Sequence, residues 1–506
     1  MPASQIKFGV ILSYISQGAQ ILVTLLYTPV LLKLLGQSQY GIYQITASVV
    51  AFLSVMTFGF SGSYLRFYAE IKHKEPEKLS QLNGSYLLIF FILGLIVLIL
   101  GFILSANTGV VLGGKLTDSE LVTAEHLMYI LVLNCFFQFI LIVFNNNIIA
   151  HERFIPMQLI VLMGTLLNPC LTFPLLLSGT GAIGMGIALF TITLIQLLIE
   201  VYYCLRKLKV RFSFRNLELG LIKDIGSFSF FIFIETIVSL INVSLDRFLI
   251  GKLIGAVATA IYAVGGQINT LYTTVSQSLS SVFAPRINKL VQQGNKDSEI
   301  NGIFIKVGSL QYVILGLILT GFFTFGKRFM ILWAGPDYVE SYYIAMVLII
   351  PNTINLIQNI AYEVQRAKNL QKYRSYIWII IAALNAIISI FLIKEFGPIG
   401  AAIGTATAWV IGSGFIMNIF YKKKAGLDVL SFWKKILRIS IGLIVPVILG
   451  VILKEYTLTC PVRHYILLIL AYIVIYMISM FFLGSNRNER KYVLGYMHRF
   501  TKGRPS

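Results

Sequence analysis

The apolar positions of this chain fall into long runs separated by short polar connections. A helix needs about 20 such residues to cross a hydrocarbon core. Fourteen runs meet that length, at approximately 8–32, 40–64, 82–105, 122–149, 154–178, 182–205, 221–251, 256–283, 300–325, 339–365, 374–394, 398–421, 433–453 and 464–484. The pattern predicts an all-α polytopic membrane protein with about 14 transmembrane helices. The first run is too long for a signal-peptide core and has no small-residue cleavage site near its end, so it reads as a retained span.

The runs also repeat. Leu34–Tyr43 (LLGQSQYGIY) aligns without a gap to Leu253–Tyr262 (LIGAVATAIY) at an offset of 219, matching Gly36 with Gly255 and Tyr43 with Tyr262. Gly181–Ile187 (GAIGMGI) matches Gly397–Ile403 (GPIGAAI) at 216, and Asn168 faces Asn385 at 217. Near-equal offsets in chain order predict six spans duplicated in the same orientation, a parallel repeat about an axis along the membrane normal. The expected organisation is a six-helix lobe over 1–205, a cytoplasmic linker over 206–220 and a second six-helix lobe over 221–421. Two extra helices and a basic tail follow over 422–506.

Polar residues recur inside these spans at helical spacing, which marks a face turned away from lipid. The first span carries Ser13, Gln17, Gln20, Thr24 and Tyr27, and the seventh carries Glu235, Ser239, Asn242 and Asp246. At the repeat offset Gln20 falls on Ser239 and Tyr27 on Asp246. The eighth span continues with Gln267, Thr270, Thr274, Gln277 and Ser281, and the second more sparsely with Gln44, Ser48, Ser54 and Ser61. The fourth carries Asn134, Gln138 and Asn145, and the tenth Asn352, Asn355, Asn359, Tyr362 and Arg366. A single hydroxyl of this kind glues helices together, at about 0.6 kcal/mol. Six helices with stripes matched in pairs predict a hydrated central cavity. Its amides, hydroxyls and tyrosines suit sugar hydroxyls, whereas a drug-binding cavity needs larger apolar walls.

The charges within spans are separate candidates. Glu235 lies about fourteen residues into its span, near the bilayer midplane at ~1.5 Å per residue. A carboxyl there can cycle between protonated and ionised forms, as ion-coupled transport needs; the alternative is a structural Glu bonded across the helices. Asp246 and Arg247 point roughly 100° apart on a helix and do not pair with each other. Glu235 and Asp246 are the candidates for coupling to H+ or Na+. Arg66, Arg247, Arg286 and Arg366 are the candidates for phosphate contact, since a guanidinium matches that group.

Composition agrees with the spans. The chain is 57% hydrophobic and 12% charged, with a formal charge of +20. In a soluble protein that charge would point to nucleic acid; here the positive-inside rule accounts for it. With both termini in the cytoplasm, 32 of the 41 Lys and Arg fall on the cytoplasmic side and 8 outside, with Arg247 inside a span. No nucleic-acid partner is expected. The densest cluster, Arg206–Arg215 (RKLKVRFSFR), reads as a topology-setting linker compatible with anionic-lipid contact. Four cysteines without CxxC or Cys/His spacing predict neither disulfides nor structural metal. Five scattered histidines and the absence of a P-loop, nucleophile elbow or HExxH leave no catalytic constellation and no cofactor. The chain reads as a non-enzyme.

These residues carry a family likeness. The run Leu245-Asp246-Arg247-Phe248-Leu249-Ile250-Gly251, then Gly255 and Ile261-Tyr262, resembles the seventh-to-eighth span region of polysaccharide transporters, as do Leu34–Tyr43 and the Gly181 and Gly397 motifs. These are the Wzx-type O-antigen and capsule flippases of the multidrug/oligosaccharidyl-lipid/polysaccharide exporter superfamily. The resemblance implies two six-helix bundles forming a V that opens alternately to either side. It implies an undecaprenyl-diphosphate-linked oligosaccharide (an O-antigen, capsule or exopolysaccharide unit) moved from inner to outer leaflet of the bacterial plasma membrane. It also implies membrane lipids, a glycan polymerase and chain-length proteins as partners. In related lipid II flippases the two extra spans help form a groove for the lipid tail, a role open to 433–453 and 464–484. Those relatives concentrate arginines in the amino-terminal cavity; the first span here has none, which weighs against a peptidoglycan precursor. The alternatives are a multidrug or small-molecule antiporter of the same superfamily, and a membrane-embedded glycan polymerase or ligase, for which the sequence lacks a sizeable outer loop bearing Arg and His.

Overall fold

In a medium without water, a spanning segment must satisfy its own backbone N–H and C=O groups, and an isolated segment can do so only as a helix. The computed structural model describes residues 3–57, 60–215, 244–294, 297–368 and 370–486, with the isolated positions Phe233, Thr236, Ile237, Leu240 and Arg490, and these residues form helices and no strand. Glu235, Ser239 and Asn242 lie outside the described residues.

In chain order the first helices are α1 (Ala3–Ser54), α2 (Phe60–Lys74), α3 (Leu79–Ala106), α4 (Asp118–Ala150), α5 (Phe154–Leu177) and α6 (Gly181–Tyr202). After the linker come α7 (Asp246–Leu253), α8 (Ala256–Ser281), α9 (Ala284–Gln293), α10 (Asp297–Trp333), α11 (Glu340–Leu356) and α12 (Asn359–Ala367). The last are α13 (Gln371–Phe396), α14 (Pro398–Trp409), α15 (Val429–Ser440), α16 (Ile444–Thr459) and α17 (Val462–Ser479). Among the described residues ten helices are long and apolar enough to cross a membrane, or eleven if the pair Pro336–Leu356 and Asn359–Ala367, bent by 44°, is one span. Ile99, Leu198, Ile452 and Leu467 expose more than half their surface on these helices. Apolar faces of that extent belong against lipid, and the chain is a multi-pass membrane protein.

The first two expected spans are joined without a loop. Within α1 the helical dihedrals fail only at Gly36, with φ 70° and ψ 173°, a conformation open to glycine and strained for residues with a Cβ. The pattern of apolar runs sees two spans there; the backbone sees one helix with a hinge.

The chain forms two compact units. The first comprises residues 1–264 with 375–405, the second residues 265–374 with 406–506. In the first unit α3 packs on α4, α4 on α6, and α1 on α5. Its core is aromatic: the Tyr64 and Tyr86 rings meet edge-on at 4.7 Å, and Phe90 meets Phe139 at 6.2 Å. The start of α4 is fixed by a capping box, in which Glu120 N–H donates to Thr117 Oγ1 at 3.4 Å and Thr117 N–H to Glu120 Oε2 at 3.0 Å. The other Glu120 oxygen accepts from Ser38 on α1 at 2.5 Å. The linker is bonded to α3: Ser213 N–H donates to the Ser80 carbonyl at 2.8 Å, and Asn83 Nδ2 to the Arg211 carbonyl at 3.2 Å.

In the second unit α10 is the central helix, packed on α11, α15 and α16. Phe304 of α10 stacks on Phe432 of α15 at 4.4 Å. The buried residues of α15 are Val429, Phe432, Ile436 and Ile439, one helical face. Of the four cysteines, all free thiols, Cys135, Cys204 and Cys460 are buried and Cys170 of α5 is exposed.

Within the first unit α1 and α8 approach closely enough that a Cβ on Gly41 would lie 1.9 Å from the Ala256 carbonyl oxygen, whereas one on Gly18 would meet nothing within 4 Å. Gly41→Ala is therefore expected to destabilise the detergent-solubilised protein by about 1–3 kcal/mol, the usual cost of overpacking. Gly18→Ala is expected to leave it unchanged or slightly more stable. Thermal melts followed by size-exclusion chromatography check both; equal melting of the two variants would contradict the close approach.

Candidate functional site

Asp246 opens α7 and is 1% exposed. Its Oδ2 accepts from the Tyr262 hydroxyl of α8 at 2.5 Å and from the Thr405 hydroxyl of α14 at 2.7 Å. Thr405 in turn accepts from Asn385 Nδ2 of α13 at 3.2 Å, and Ser389, one turn further on, donates to Asn385 Oδ1 at 3.0 Å. Asp246 Oδ1 is buried and has no hydrogen-bond partner among the described residues. Segments of four helices within the first unit thus converge on one carboxylate, with Oδ2 accepting from two hydroxyls, the Ser389 hydroxyl also against the carboxyl, and Oδ1 without a hydrogen bond and able to take a cation or a proton. Such a set, all oxygen donors and one negative charge, suits a hard monovalent ion or H+.

Gly400 of the repeat motif and Gly404, the residue just past it, bring α13 and α14 together. A Cβ on Gly400 would lie 2.0 Å from the Leu392 carbonyl oxygen, and one on Gly404 would lie 2.3 Å from Ser389 Oγ. With no side chain at these positions, the backbones close and carry Thr405 to Asn385.

Arg247 turns away from its neighbour. Its Nη1 donates to Gln44 Oε1 of α1 at 3.1 Å, and its Nε is buried without a hydrogen bond. The first-span stripe holds a second, neutral arrangement: Tyr27 bonds Thr172, whose hydroxyl donates to Asn168 Oδ1 at 3.2 Å. Tyr27, Asn168 and Thr172 stand 219, 217 and 217 residues before Asp246, Asn385 and Ser389. Gln17 and Thr24 are half-buried on the same helix, and Gln20 is exposed. Gln138 and Asn145 are half-buried on α4, and Arg66 is exposed in the middle of α2.

The remaining sequence candidates lie in the second unit. Asn359 Nδ2 donates to Ser276 Oγ at 3.2 Å, and Asn355 Oδ1 accepts from Ser413 at 3.3 Å. The Thr274 hydroxyl donates to the carbonyl of Thr270 at 2.9 Å. Asn352 Nδ2 reaches both Asn269 Oδ1 at 2.9 Å and Thr273 Oγ1 at 3.0 Å. Part of the stripe on α8, α11 and α12 therefore serves as interhelical hydrogen bonding. Gln267 is half-buried and Gln277 exposed. Tyr362 lies between two guanidinium groups, Arg374 at 4.0 Å and Arg366 at 5.8 Å from its ring centre. Arg366 also pairs with Glu363 at 3.9 Å, and Arg286 is exposed on α9.

Two features escape the spacing argument. Thr405, Ser389 and Asn385 belong to the cluster, yet α13 and α14 show no polar stripe; only the Asn385 and Gly397–Ile403 repeat matches pointed there. Glu200 of α6 is 1% exposed, bonds Asn145, and leaves Oε2 without a hydrogen bond. Its signal was a carboxylate within an apolar run.

Comparison with known proteins gives a consistent picture. Residues 6–291 match the family model described as polysaccharide biosynthesis protein. A putative O-antigen transporter of Shigella flexneri is 22% identical over 382 residues, 73% of this chain and 86% of its own length. The uncharacterized membrane protein EpsK of Bacillus subtilis (strain 168) is 21% identical over 435 residues, covering 81% and 82%. Among solved structures, the lipid II flippase MurJ in an inward closed conformation superposes with a TM-score of 0.75 at 17% identity, over 93% of this chain and 97% of that one. An inward-facing multidrug resistance MATE family transporter of the MOP superfamily gives 0.60 at 13% identity, over 81% and 96%. The fold is shared with both, and the family match spans more than half of the sequence: the chain belongs to the polysaccharide biosynthesis protein family.

Proposed function

We propose that this protein is a flippase that moves undecaprenyl-diphosphate-linked oligosaccharide, an O-antigen, capsule or exopolysaccharide unit, from the inner to the outer leaflet of a bacterial plasma membrane by alternating access. The observation that carries the reading is a buried, half-satisfied carboxylate, Asp246, in a membrane protein of the polysaccharide biosynthesis family. A transporter driven by an ion gradient needs a group that gains and loses a cation inside the bilayer, and Asp246 Oδ1 meets that description. Tyr262, Thr405, Asn385 and Ser389 hold the carboxylate in place, so that loading Oδ1 with H+ or Na+ changes the charge that α7, α8, α13 and α14 enclose.

The rest of the reading is supported in the same way. Fourteen spans and a parallel duplication are favoured by the hinge at Gly36 inside α1, by the bent pair α11 and α12, and by the matched triads at Tyr27 and Asp246. Cytoplasmic termini follow from the distribution of Lys and Arg. On this reading the half-buried amides and hydroxyls from Gln17 to Tyr362 line the path of the sugar. Arg66, Arg247, Arg286 and Arg366 offer contacts to the diphosphate, and the polyprenyl tail stays in lipid. Glycan polymerase and chain-length proteins are the expected partners downstream. A small-molecule antiporter is the second reading, favoured by the fold shared with the MATE transporter. The two last spans, α15 with α16 and then α17, which lengthen the chain beyond two six-span lobes, favour the flippase.

Three outcomes check this. Deleting the gene is expected to trap lipid-linked repeat units on the cytoplasmic leaflet, read by accessibility of the glycan to a membrane-impermeant lectin; normal outer-leaflet accumulation sinks the flippase. Asp246→Asn keeps the hydroxyl contacts but loses the charge, and transport is expected to fall at least about tenfold with expression intact, since a charge-assisted contact is worth roughly 1.5–3 kcal/mol. Glu235→Gln is expected to impair transport at unchanged expression, and full activity in the leaflet assay would remove Glu235 from the mechanism.

A further inference from the structure

Away from Asp246, the first unit holds a cavity of ≈ 430 Å³ at the loop ends of its helices. That lies within the range of about 300–1,000 Å³ typical of small-molecule sites. One wall is the linker, from Leu208 to Arg211; the others are Tyr68 of α2, the turn at Pro76 and Glu77, Ser80 and Asn83 of α3, and His151 after α4.

Three properties give this cavity a sign. Lys209 and Arg211 both line it, and neither forms an ion pair with a described residue. Glu77 is the single acid in the lining. Lys209 adopts φ +53°, a left-handed conformation that costs a residue with a Cβ about 1 kcal/mol or more. The neighbouring linker residues are bonded to α3 through Arg211 and Ser213, so the strained residue is held in place from one side. Finally, the turn Pro76–Lys78 runs straight into α3, with Leu79 N–H donating to the Pro76 carbonyl and no side chain capping the start, so the positive end of the helix dipole lies at this turn, beside the two cations. The polar wall opposite is ordered: His151 Nδ1 donates to the Asn147 carbonyl at 2.8 Å, and the Tyr68 hydroxyl meets His151 Nε2 at 3.1 Å.

We infer that this cavity is a binding site for a phosphate group, separate from the transport path and built by the linker. Lys209 and Arg211 supply the charge, the positive end of the helix that begins at Pro76 adds to it, and Ser80 with Asn83 supplies neutral contacts. Its position among helix ends puts it within reach of two phosphate sources, the headgroup of an anionic phospholipid at the interface and a phosphate-bearing solute in the aqueous phase.

The test uses the purified full-length protein and two probes. Phosphatidylglycerol, with phosphatidylcholine as the neutral comparison, is titrated by native mass spectrometry; inorganic pyrophosphate is titrated without lipid by isothermal calorimetry. The pocket variant is Lys209→Asn with Arg211→Gln, because asparagine tolerates the left-handed backbone. The control, Lys422→Gln with Lys423→Gln, removes equal charge from exposed positions elsewhere. Saturable binding of either probe that weakens at least about tenfold in the pocket variant, and stays unchanged in the control, supports the site. Loss of phosphatidylglycerol alone identifies the headgroup as the source, and loss of pyrophosphate binding identifies a soluble phosphate. Equal weakening in both variants, unchanged binding in the pocket variant, or no saturable binding of either probe overturns it. Melting temperatures equal to the parent's show that the variants are folded; if the pocket variant melts lower, Lys209→Asn alone replaces it with the same criteria.

Discussion

A polar group inside a bilayer cannot trade a protein partner for water, and everything specific about this molecule follows from that constraint. In a soluble protein a side chain like Thr405 or Ser389 would point outward at no cost. Here each must find another polar group within the protein, on its own helix as Ser389 does or across an interface as Thr405 does, and the interfaces must close far enough to allow it. The glycines at 400 and 404 let the helices close, and the closure gathers a buried aspartate, two hydroxyls, a phenol and an amide into one cluster. Packing, hydrogen bonding and charge are therefore one problem with one solution at this point in the fold. The unpaired Asp246 oxygen is the exception that the rest of the cluster surrounds.

The two polar triads sharpen the contrast. On the proposed duplication, Tyr27, Asn168 and Thr172 occupy the places of Asp246, Asn385 and Ser389. The neutral version is closed on itself and has no capacity to bind a cation electrostatically. The charged version differs by one carboxylate, and by Thr405 in a place where the repeat offset puts Leu189. A duplicated frame with a single acidic copy is a simple way to give one half an ion-dependent state and leave the other rigid.

Much of the fold was legible in the sequence because membrane length is a strong signal: apolar runs such as those of α3, α4 and α6 need no long-range information to be recognised. What the pattern missed is set by contacts between elements. The hinge at Gly36 has no loop composition, so it reads as a connection of ordinary length rather than as a bend within one helix. Asp246 and Arg247 stood out as charges in an apolar run, but their partners did not, because Thr405 and Ser389 sit singly on helices without a periodic polar face. Several stripe residues of α8 and α11, among them Asn352, have the right spacing and are used for cross-helix bonds. Glu200 carried the same signal as Asp246, yet it stands close to Arg206 and Lys207, where a carboxylate reads as part of the polar connection.

The distribution of thiols has a use that the fold itself supplies. Three cysteines are sealed in the interior and Cys170 is presented on the surface of α5, two residues before Thr172 and on the other side of the helix. Alkylation proceeds through the thiolate, which forms only where water can solvate it. A charged maleimide will therefore leave Cys170 untouched while that surface lies against hydrocarbon, and label it when the surface becomes wet. The native chain carries its own hydration gauge on the helix of Asn168 and Thr172, with no engineered cysteine required.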